Sequence, residues 1–320
     1  MRVLVAPDKF RGTLTAREAA AAIAAGAARA GRKAVELPLA DGGEGTLDVL
    51  GGGNRTTVVT GPLGDPIEAA WRLDDDGTAL IEAALACGLS LAGGAAGNDP
   101  LRATSRGVGE LVAAAIAAGA ERIVVAVGGV ASTDGGSGAV EALRSILPLL
   151  VPVEVACDVD ARFLEAAEIF ASQKGATPEQ VSVLRDRLAA LDVPDLPGAG
   201  AAGGLAGGLA ALGATLVRGF DLVADRLDLD SCLLEADLVI SGEGLFDATS
   251  LTGKVVGGVL ERASRAGVPA LVVVGELVTK APVDAVSLVA LCGRERALGQ
   301  TAQCLAEIVE KELTAPSRTA

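Results

Sequence analysis

Histidine is absent from this chain of 320 residues. Its absence excludes a Ser-His-Asp triad, a Cys-His dyad, a histidine general base and every metal site built on imidazole ligands. The side chains left for proton transfer are those of Asp, Glu, Lys and Cys. Any catalytic site must therefore be built from carboxylates, amines, thiols and backbone groups.

Aromatic side chains and basic charge are also scarce. Aromatic residues make up 2% of the chain, whereas hydrophobic residues make up 50%. Small aliphatic side chains must therefore fill the core, and the length suffices for one or two domains. The 27 Lys and Arg residues are outnumbered by 41 Asp and Glu residues, which gives a net charge of −14. This acidic balance argues against a nucleic acid as partner.

The five cysteines are widely spaced and form no CxxC motif. This pattern predicts reduced thiols in a cytoplasmic protein. Residues 1–7 form too short an apolar run for a signal peptide. The uncharged stretch 198–217 consists mainly of Ala and Gly and has too little apolar area for a membrane span. We therefore expect no membrane partner.

The hydrophobic pattern predicts an α/β fold. Arg2–Ala6 and Val35–Leu39 are typical of buried strands, and the helix between them, Thr15–Ala30, begins with a capping box. The last third repeats this rhythm, with a strand at Asp237–Ser241 that leads into a Gly242-Glu243-Gly244 loop. Further predicted strands are Thr56–Thr60, Ala69–Leu73, Thr78–Ile81, Arg122–Val127, Val153–Cys157, Ala270–Val274 and Val286–Leu291, and further predicted helices are Val108–Ala118, Gly138–Leu147, Glu179–Ala190, Gly203–Leu212, Gly253–Ala266 and Leu298–Leu313.

Two glycine-rich segments are candidates for anion binding. Gly198, Gly200 and Gly203 satisfy the pattern G-x-G-x-x-G, but the prolines before them argue against the preceding strand that a dinucleotide site needs. A loop before a closely packed helix explains this segment about as well. Residues 127–138 leave a strand and enter a helix. They form either a turn in which Asp134 caps the helix or an amide-lined cradle for an anion.

Acidic residues follow several predicted strands, where α/β sheets bind ligands. Each alone is more often a turn residue than a catalyst. Together they suit Mg²⁺, which takes oxygen ligands, or a carboxylate that accepts a hydroxyl proton in phosphoryl transfer. Lysines and arginines beside the same loops are either solvated or bind an anionic substrate. The acids are Asp8, Asp41, Glu44, Asp158, Glu243 and Asp247, and the cations are Lys9, Arg11, Arg102, Lys174 and Lys254.

Seven segments of the chain stand out as motifs in a fixed order. They are Ala6–Ala16, Pro38–Thr46, Ala103–Glu110, Gly128–Gly138, Gln173–Thr177, Gly198–Gly204 and Ser241–Gly244. Together they resemble the motifs of the type-1 (class II) glycerate kinase family. The resemblance implies ATP-dependent phosphorylation of D-glycerate with Mg²⁺, giving phosphoglycerate, with 2-phosphoglycerate as the expected product. It also implies a flavodoxin-like or Rossmann-like domain formed by residues 1–61 and 238–320, with a mixed α/β domain, 62–237, inserted between them.

The motifs further predict a set of site residues. The cysteines predict a cytoplasmic location, and the chain is compatible with a homodimer. The predicted catalytic residues are Lys9, Arg11, Asp134 and Asp247, and the predicted metal ligands are Asp41, Asp158 and Glu243. The cations hold the glycerate carboxylate or neutralise phosphates, while Asp134 or Asp247 positions or deprotonates the acceptor hydroxyl. The predicted substrate-binding and nucleotide-binding residues are Asp8, Gly42, Gly43, Arg102, Thr104, Ser105, Gly128, Gly129, Ser132, Thr133, Gly135, Gly136, Lys174, Gly198, Gly200, Gly203 and Lys254.

The chain also departs from the family pattern. Lys9 and Arg11 stand where the family usually has Ser and then Lys, and Leu245 stands where an Arg is common. The segment between Asp134 and Cys157 is shortened. These differences leave open a kinase of another small hydroxy acid or polyol, and a binding protein that kept the fold without turnover. A nicotinamide-dependent dehydrogenase, suggested only by G-x-G-x-x-G, is the last alternative.

Overall fold

A computed structural model describes residues 1–10, 12–251, 254–279, 281 and 284–315. The chain forms two compact units. The terminal unit consists of Met1–Asp41 and Phe220–Ala320, and the central unit of Gly42–Gly219. Both contain strands and helices, which confirms the predicted α/β class.

Strands and helices alternate along much of the chain. In chain order, the strands are β1 (Arg2–Val5), β2 (Lys33–Glu36), β3 (Arg55–Thr60), β4 (Pro66–Leu73), β5 (Thr78–Glu82), β6 (Arg122–Ala126), β7 (Val153–Cys157), β8 (Thr215–Arg218), β9 (Leu238–Phe246), β10 (Ala270–Leu277) and β11 (Ala285–Ser287). The helices are α1 (Ala16–Arg29), α2 (Thr46–Val49), α3 (Ala84–Cys87), α4 (Gly94–Gly97), α5 (Arg106–Ala117), α6 (Ser137–Leu143), α7 (Ala166–Phe170), α8 (Pro178–Ala189), α9 (Leu205–Ala211), α10 (Gly219–Arg226), α11 (Leu229–Leu234), α12 (Val255–Ala266), α13 (Leu288–Cys292), α14 (Arg294–Gly299) and α15 (Thr301–Thr314).

The sheet of the terminal unit is parallel throughout its described part. Its strand order is β2-β1-β9-β10-β11. Counted within this unit alone, that order is 2-1-3-4-5, the order of flavodoxin-like folds. The order reverses between β1 and β9, and ligands of such sheets bind at the carboxyl ends of the strands beside this point. The topology therefore predicts a ligand site at the carboxyl ends of β1 and β9.

Helix α1 shows how small side chains build this unit. Thr15 caps the helix, and Glu18 completes the predicted capping box. Gly26 lies directly against the backbone of Ala306 in α15, so that a Cβ there would overlap the Ala306 carbonyl oxygen. An Ala-rich and Gly-rich helix thus compensates for its small apolar area by approaching its neighbour closely.

The sheet of the central unit is mixed. Its order is β3-β4-β5-β6-β7-β8. β4 pairs antiparallel with β3 and β5, and the pairs from β5 to β8 are parallel. Helices α5, α6 and α9 pack beside one another, and the buried core is mainly Val, Leu, Ile and Ala. Trp71 joins this core and donates its indole N–H to Thr57 Oγ1 at 2.9 Å.

Several predicted elements differ from the structure. The strand predicted at Val35–Leu39 ends at Glu36, and the helix predicted to reach Leu147 ends at Leu143. The strand predicted to end at Ser241 continues through Gly242, Glu243 and Gly244 as β9, because the glycines let β10 pair closely along this stretch. The predicted strand Val286–Leu291 is wrong beyond Ser287, whose hydroxyl caps α13 by accepting from the Ala290 N–H. The predicted helix Leu298–Leu313 is divided into α14 and α15 at Gln300.

The sequence-based domain boundaries lie after residue 61 and before residue 238. The two units of the structure instead divide after Asp41 and after Gly219. β3 is hydrogen-bonded into the central sheet, because its apolar and Thr side chains pair with β4. Helices α10 and α11 belong to the terminal unit, where their Asp221 and Asp230 pair with the buried Arg262 of α12. Within the described residues, no helix is both long and apolar enough to cross a membrane.

Candidate functional site

Three carboxylates lie at the carboxyl edge of the terminal sheet. Asp8 follows β1, Asp41 follows the extended segment after β2, and Glu243 lies within β9. The backbone ties the first and third together, because the Asp8 N–H donates to the Gly242 carbonyl at 2.9 Å. The hydroxyl of Ser241 donates to the Ala6 carbonyl at 2.8 Å and adds a second link. We call Asp8, Lys9, Asp41 and Glu243 the acid cluster.

Lys9 partly balances the negative charge of the acid cluster. Its Nζ lies 4.0 Å from Asp8 Oδ1 and 4.0 Å from Asp41 Oδ1. Burial raises the pKa of Asp8 to about 7, and repulsion from Asp41 adds to this rise, whereas Lys9 opposes it. A carboxylate that is hard to ionise inside the protein is a natural partner for a further cation.

Glu243 is the member of the acid cluster with an unsatisfied side-chain oxygen in the described part of the chain. Its side chain is 8% exposed, and its buried Oε1 has no hydrogen-bond donor among the described residues. Burial raises its pKa, while the Ser250 hydroxyl and the Lys254 ammonium oppose this rise. A buried carboxylate oxygen without a donor is costly unless a ligand completes it.

The acid cluster fits Mg²⁺ by its donor type. Carboxylate oxygens suit a hard cation that keeps several waters and takes phosphate oxygens from its substrate. In the described part of the chain, no group of three or more Asp, Glu, Cys or His side chains is arranged to hold a metal alone. Asp41 and Glu243 would therefore supply part of the coordination, as is usual where Mg²⁺ binds with a nucleotide.

Two further predicted residues of the terminal unit, Lys254 and Asp247, lie beside Glu243. Lys254 stands at the N-cap position of α12. Asp247 follows β9, and its Oδ1 accepts from the Thr249 N–H at 2.7 Å and from the Thr249 hydroxyl at 2.6 Å, contacts that lower its pKa. Arg11, predicted to be catalytic, lies outside the described residues.

In the central unit, Asp134 organises the loop between β6 and α6. Its Oδ2 accepts from the Ser105 N–H and hydroxyl, both at 2.8 Å, and from the Gly138 N–H at 3.2 Å. Its Oδ1 accepts from the Gly136 N–H at 3.1 Å. These contacts join the start of α5 to the start of α6 and support the capping interpretation. A role of Asp134 as catalytic base stays a prediction.

Lys174 lies beneath the same loop. The residue is 6% exposed, and its ammonium donates to the Ser132 carbonyl at 2.6 Å, with Thr133 Oγ1 at 3.5 Å. Burial lowers its pKa to about 8. A Cβ at Gly203 would meet this Nζ at 2.9 Å, and Gly203 also accepts the Gly135 N–H at 3.0 Å. The Gly135–Gly203 hydrogen bond joins the two glycine-rich loops, and the Lys174 ammonium fills the space beside it.

The G-x-G-x-x-G segment serves close packing. A Cβ at Gly198 would press on the Cys157 thiol, and one at Gly200 or Gly203 would overlap a backbone carbonyl oxygen. The described residues immediately before Gly198 form turns and irregular chain, and this arrangement does not support a dinucleotide site. Asp158, a predicted metal ligand, follows β7 in this unit and raises the pKa of the neighbouring Cys157.

A third loop of the central unit, residues 42–47, packs against the ends of the parallel strands. A Cβ at Gly128 would meet Gly43 Cα at 2.6 Å, and one at Gly42 would meet the Ala156 side chain at 3.0 Å. Gly129 lies beside Glu44. Glu82, which was not among the residues predicted from sequence, reaches this loop from the end of β5. A charged residue that ends an apolar strand was the signal that could have revealed it.

A pocket of about 500 Å³ opens beside Asp134. Four predicted binding or catalytic residues line it: Arg102, Thr104, Thr133 and Asp134. Its opposite wall was not predicted from sequence, and α8 and the residues after it supply this wall with Leu184, Arg187 and Leu191. The lining combines apolar side chains with two arginines and two carboxylates, Asp134 and Glu141. Apolar walls with a few placed polar groups are typical of small-molecule sites.

The chain is similar to known proteins along most of its length. A family model described as the glycerate kinase family matches residues 3–148 and 144–314. A glycerate kinase of Bacillus subtilis (strain 168) is 38% identical over 327 residues, covering 87% of this chain and 85% of that protein. A glycerate 2-kinase of Escherichia coli (strain K12) is 37% identical over 327 residues, with 87% and 86% covered. A solved structure described as a putative glycerate kinase 2 of Salmonella typhimurium LT2 is 35% identical, with a TM-score of 0.79 and 98% and 97% covered.

Proposed function

This chain belongs to the glycerate kinase family and is a kinase, and we propose that it transfers the γ-phosphoryl group of ATP to D-glycerate. The family assignment confirms the resemblance seen in the sequence. The observation that carries the substrate and cofactor proposal is the acid cluster. Its buried Glu243 oxygen and its lysine lie at the point of the parallel sheet where ligands bind.

Bound Mg²⁺ would supply neutralisation of the charge that develops on the phosphoryl oxygens. Asp41 and Glu243 would hold it, and Lys9 would bind the glycerate carboxylate or a phosphate. Phosphoryl transfer depends mainly on alignment and charge neutralisation, so a site without histidine is adequate. Asp247 and Asp134 are the proposed positions for the acceptor of the hydroxyl proton.

The nucleotide would occupy the pocket beside Asp134. Leu184 and Leu191 offer an apolar wall to a purine, and Arg102 offers a cation to a phosphate. The pocket is roomy enough for a drug-sized ligand, whose sites span about 300–1,000 Å³. We further propose 2-phosphoglycerate as the product, which is consistent with the name of the Escherichia coli relative.

Leu245 favours a second candidate, a kinase of another small hydroxy acid. This residue is 48% exposed on β9 and presents an aliphatic side chain where the family commonly has an Arg. A missing guanidinium would weaken the binding of a carboxylate and relax the choice of acceptor.

The test is an ADP-release assay with ATP, Mg²⁺ and a panel of hydroxy acids and polyols, followed by phosphorus NMR of the product. We expect D-glycerate to give the highest kcat/KM and a single phosphorylated product. A higher kcat/KM with another acid would establish the second candidate. No turnover with any acceptor, together with nucleotide binding by calorimetry, would establish a binding protein.

A further inference from the structure

Glu82 is a buried carboxylate at the end of an apolar strand. It closes β5, whose other residues are Thr78, Ala79, Leu80 and Ile81, and it is 4% exposed. A buried carboxylate costs several kcal/mol unless hydrogen bonds compensate for the lost water. Its partners should therefore reveal why the strand carries a charge at this point.

Two of those partners are backbone N–H groups of the loop 42–47. Glu82 Oε1 accepts from the Gly45 N–H at 3.0 Å, and Oε2 accepts from the Leu47 N–H at 2.9 Å. Helix α2 begins inside this loop and has no capping side chain of its own at its N-cap residue, Gly45. The first N–H groups of a helix need an external acceptor. A residue from a different element, Glu82, provides it.

The loop that Glu82 fixes contains Gly42 and Gly43, two predicted substrate-binding residues. The Thr46 hydroxyl donates to the Gly43 carbonyl at 2.7 Å, so the order imposed at residues 45–47 extends to Gly43. Gly43 in turn packs on Gly128, where a Cβ would approach it within 2.6 Å. A displaced loop would therefore disturb the glycine contact between two of the segments that the family motifs cover.

We propose that Glu82 is a positioning residue for the phosphoryl-transfer reaction. It holds the 42–47 loop against the ends of β6 and β7, so that the amide groups of Gly42 and Gly43 are fixed before substrate binds. It does not itself touch the substrate. This inference rests on the proposed function, because the benefit of a fixed loop is measured in turnover.

The test compares Glu82→Gln with Glu110→Gln in the full-length protein. Glu110 on α5 makes the same kind of bond, accepting from the Thr60 N–H at 2.6 Å and from the Thr60 hydroxyl at 3.0 Å. Thr60 is the last residue of β3, so this bond fixes a strand end and not the 42–47 loop. We expect Glu82→Gln to lower kcat/KM by roughly 10- to 100-fold through misplacement of the loop. Glu110→Gln should lower the Tm and leave kcat and KM unchanged.

Hydrogen exchange provides a readout that does not depend on activity. Amides of residues 42–50 should exchange faster in Glu82→Gln and not in Glu110→Gln. Glu82→Asp, which keeps the charge but shortens the side chain by one methylene, should give the same changes and serves if Glu82→Gln fails to fold.

Three outcomes decide the inference. Faster exchange with a lowered kcat/KM supports it. Faster exchange with wild-type kinetics, or a kinetic loss that Glu110→Gln reproduces at equal Tm, would reduce Glu82 to a purely structural role and overturn it. If the wild-type protein lacks glycerate kinase activity, the proposed function fails, and the positioning role for that reaction fails with it. The exchange data then report separately whether Glu82 fixes the loop.

Discussion

The acid cluster of the terminal unit and the glycine-rich loops of the central unit use polar groups in opposite ways. In the loops, Asp134 and Lys174 find their partners in the protein, at backbone N–H groups, hydroxyls and carbonyls. In the acid cluster, burial and mutual repulsion raise the pKa values of Asp8 and Glu243, and Lys9 stands 4.0 Å from its two carboxylates. The loops satisfy these two side chains within the protein, whereas the acid cluster keeps like charges close together and leaves a buried Glu243 oxygen without a hydrogen-bond donor among the described residues.

Under the proposed function, this difference would give the two regions different parts in phosphoryl transfer. Preorganised amides and hydroxyls cost no reorganisation when charge develops, and they need rigid support. A metal site must instead tolerate like charges at close range until the cation arrives. Substitutions in the acid cluster should therefore mainly change activity, and substitutions in the loops should change stability as well.

The largest effect is expected for Glu243→Gln. Removal of a proposed Mg²⁺ ligand should lower kcat/KM by about 10²- to 10³-fold. Because the carboxylate is buried with an unpaired oxygen, the Tm should not fall. Steady-state kinetics at several Mg²⁺ concentrations and thermal unfolding measure the two effects. Glu235→Gln, at an exposed ion pair with Arg2, is the control. A large loss of stability with unchanged activity would contradict the comparison.

Gly203→Ala should have the next largest effect, this time on stability. Its backbone has a φ of +67°, and the added Cβ would overlap the Ser132 carbonyl oxygen. Strain and overlap together should cost about 3 kcal/mol or more. Gly213→Ala, at a φ of +95° with open space around it, should cost only about 1–2 kcal/mol. Equal losses in urea unfolding would show that the two loops do not press on each other.

Lys174→Met should cost about 1–3 kcal/mol, because the Ser132 carbonyl loses its donor. The pKa of Lys174 is lowered from 10.5 to about 8. Between these pH values the unfolded chain holds the extra proton, so the stability of the wild type should rise with pH there. The variant should lack that rise, as urea unfolding at pH 7.5 and 10 would show. Lys33→Met, at an exposed position, should keep it.

The sequence predicted the residues of the acid cluster because strand ends and family motifs coincide there. It also predicted the first strand and the capping box of α1, because both arise from residues that are close together in the sequence. It missed the continuation of β9, because only pairing with β10 makes glycines favourable in a strand. It missed Glu82 and Leu184 because their contacts join segments far apart in the chain. The partners of Asp134 could not be predicted, since Ser105 belongs to another helix.

The pH dependence of stability separates the charge of the acid cluster from its chemistry. Burial raises the pKa of Asp8 from 3.8 to about 7. Between these pH values the folded protein holds more protons than the unfolded chain, so stability should fall as pH rises from about 4 to 7. Asp8→Asn should remove this slope, measured by urea unfolding without Mg²⁺. Glu18→Gln should act oppositely, because the lowered pKa of Glu18 contributes stability that is lost on acidification. If the wild type and Asp8→Asn keep parallel stability curves, Asp8 is ionised throughout, and the acid cluster is balanced by the protein's own cations rather than by a bound metal.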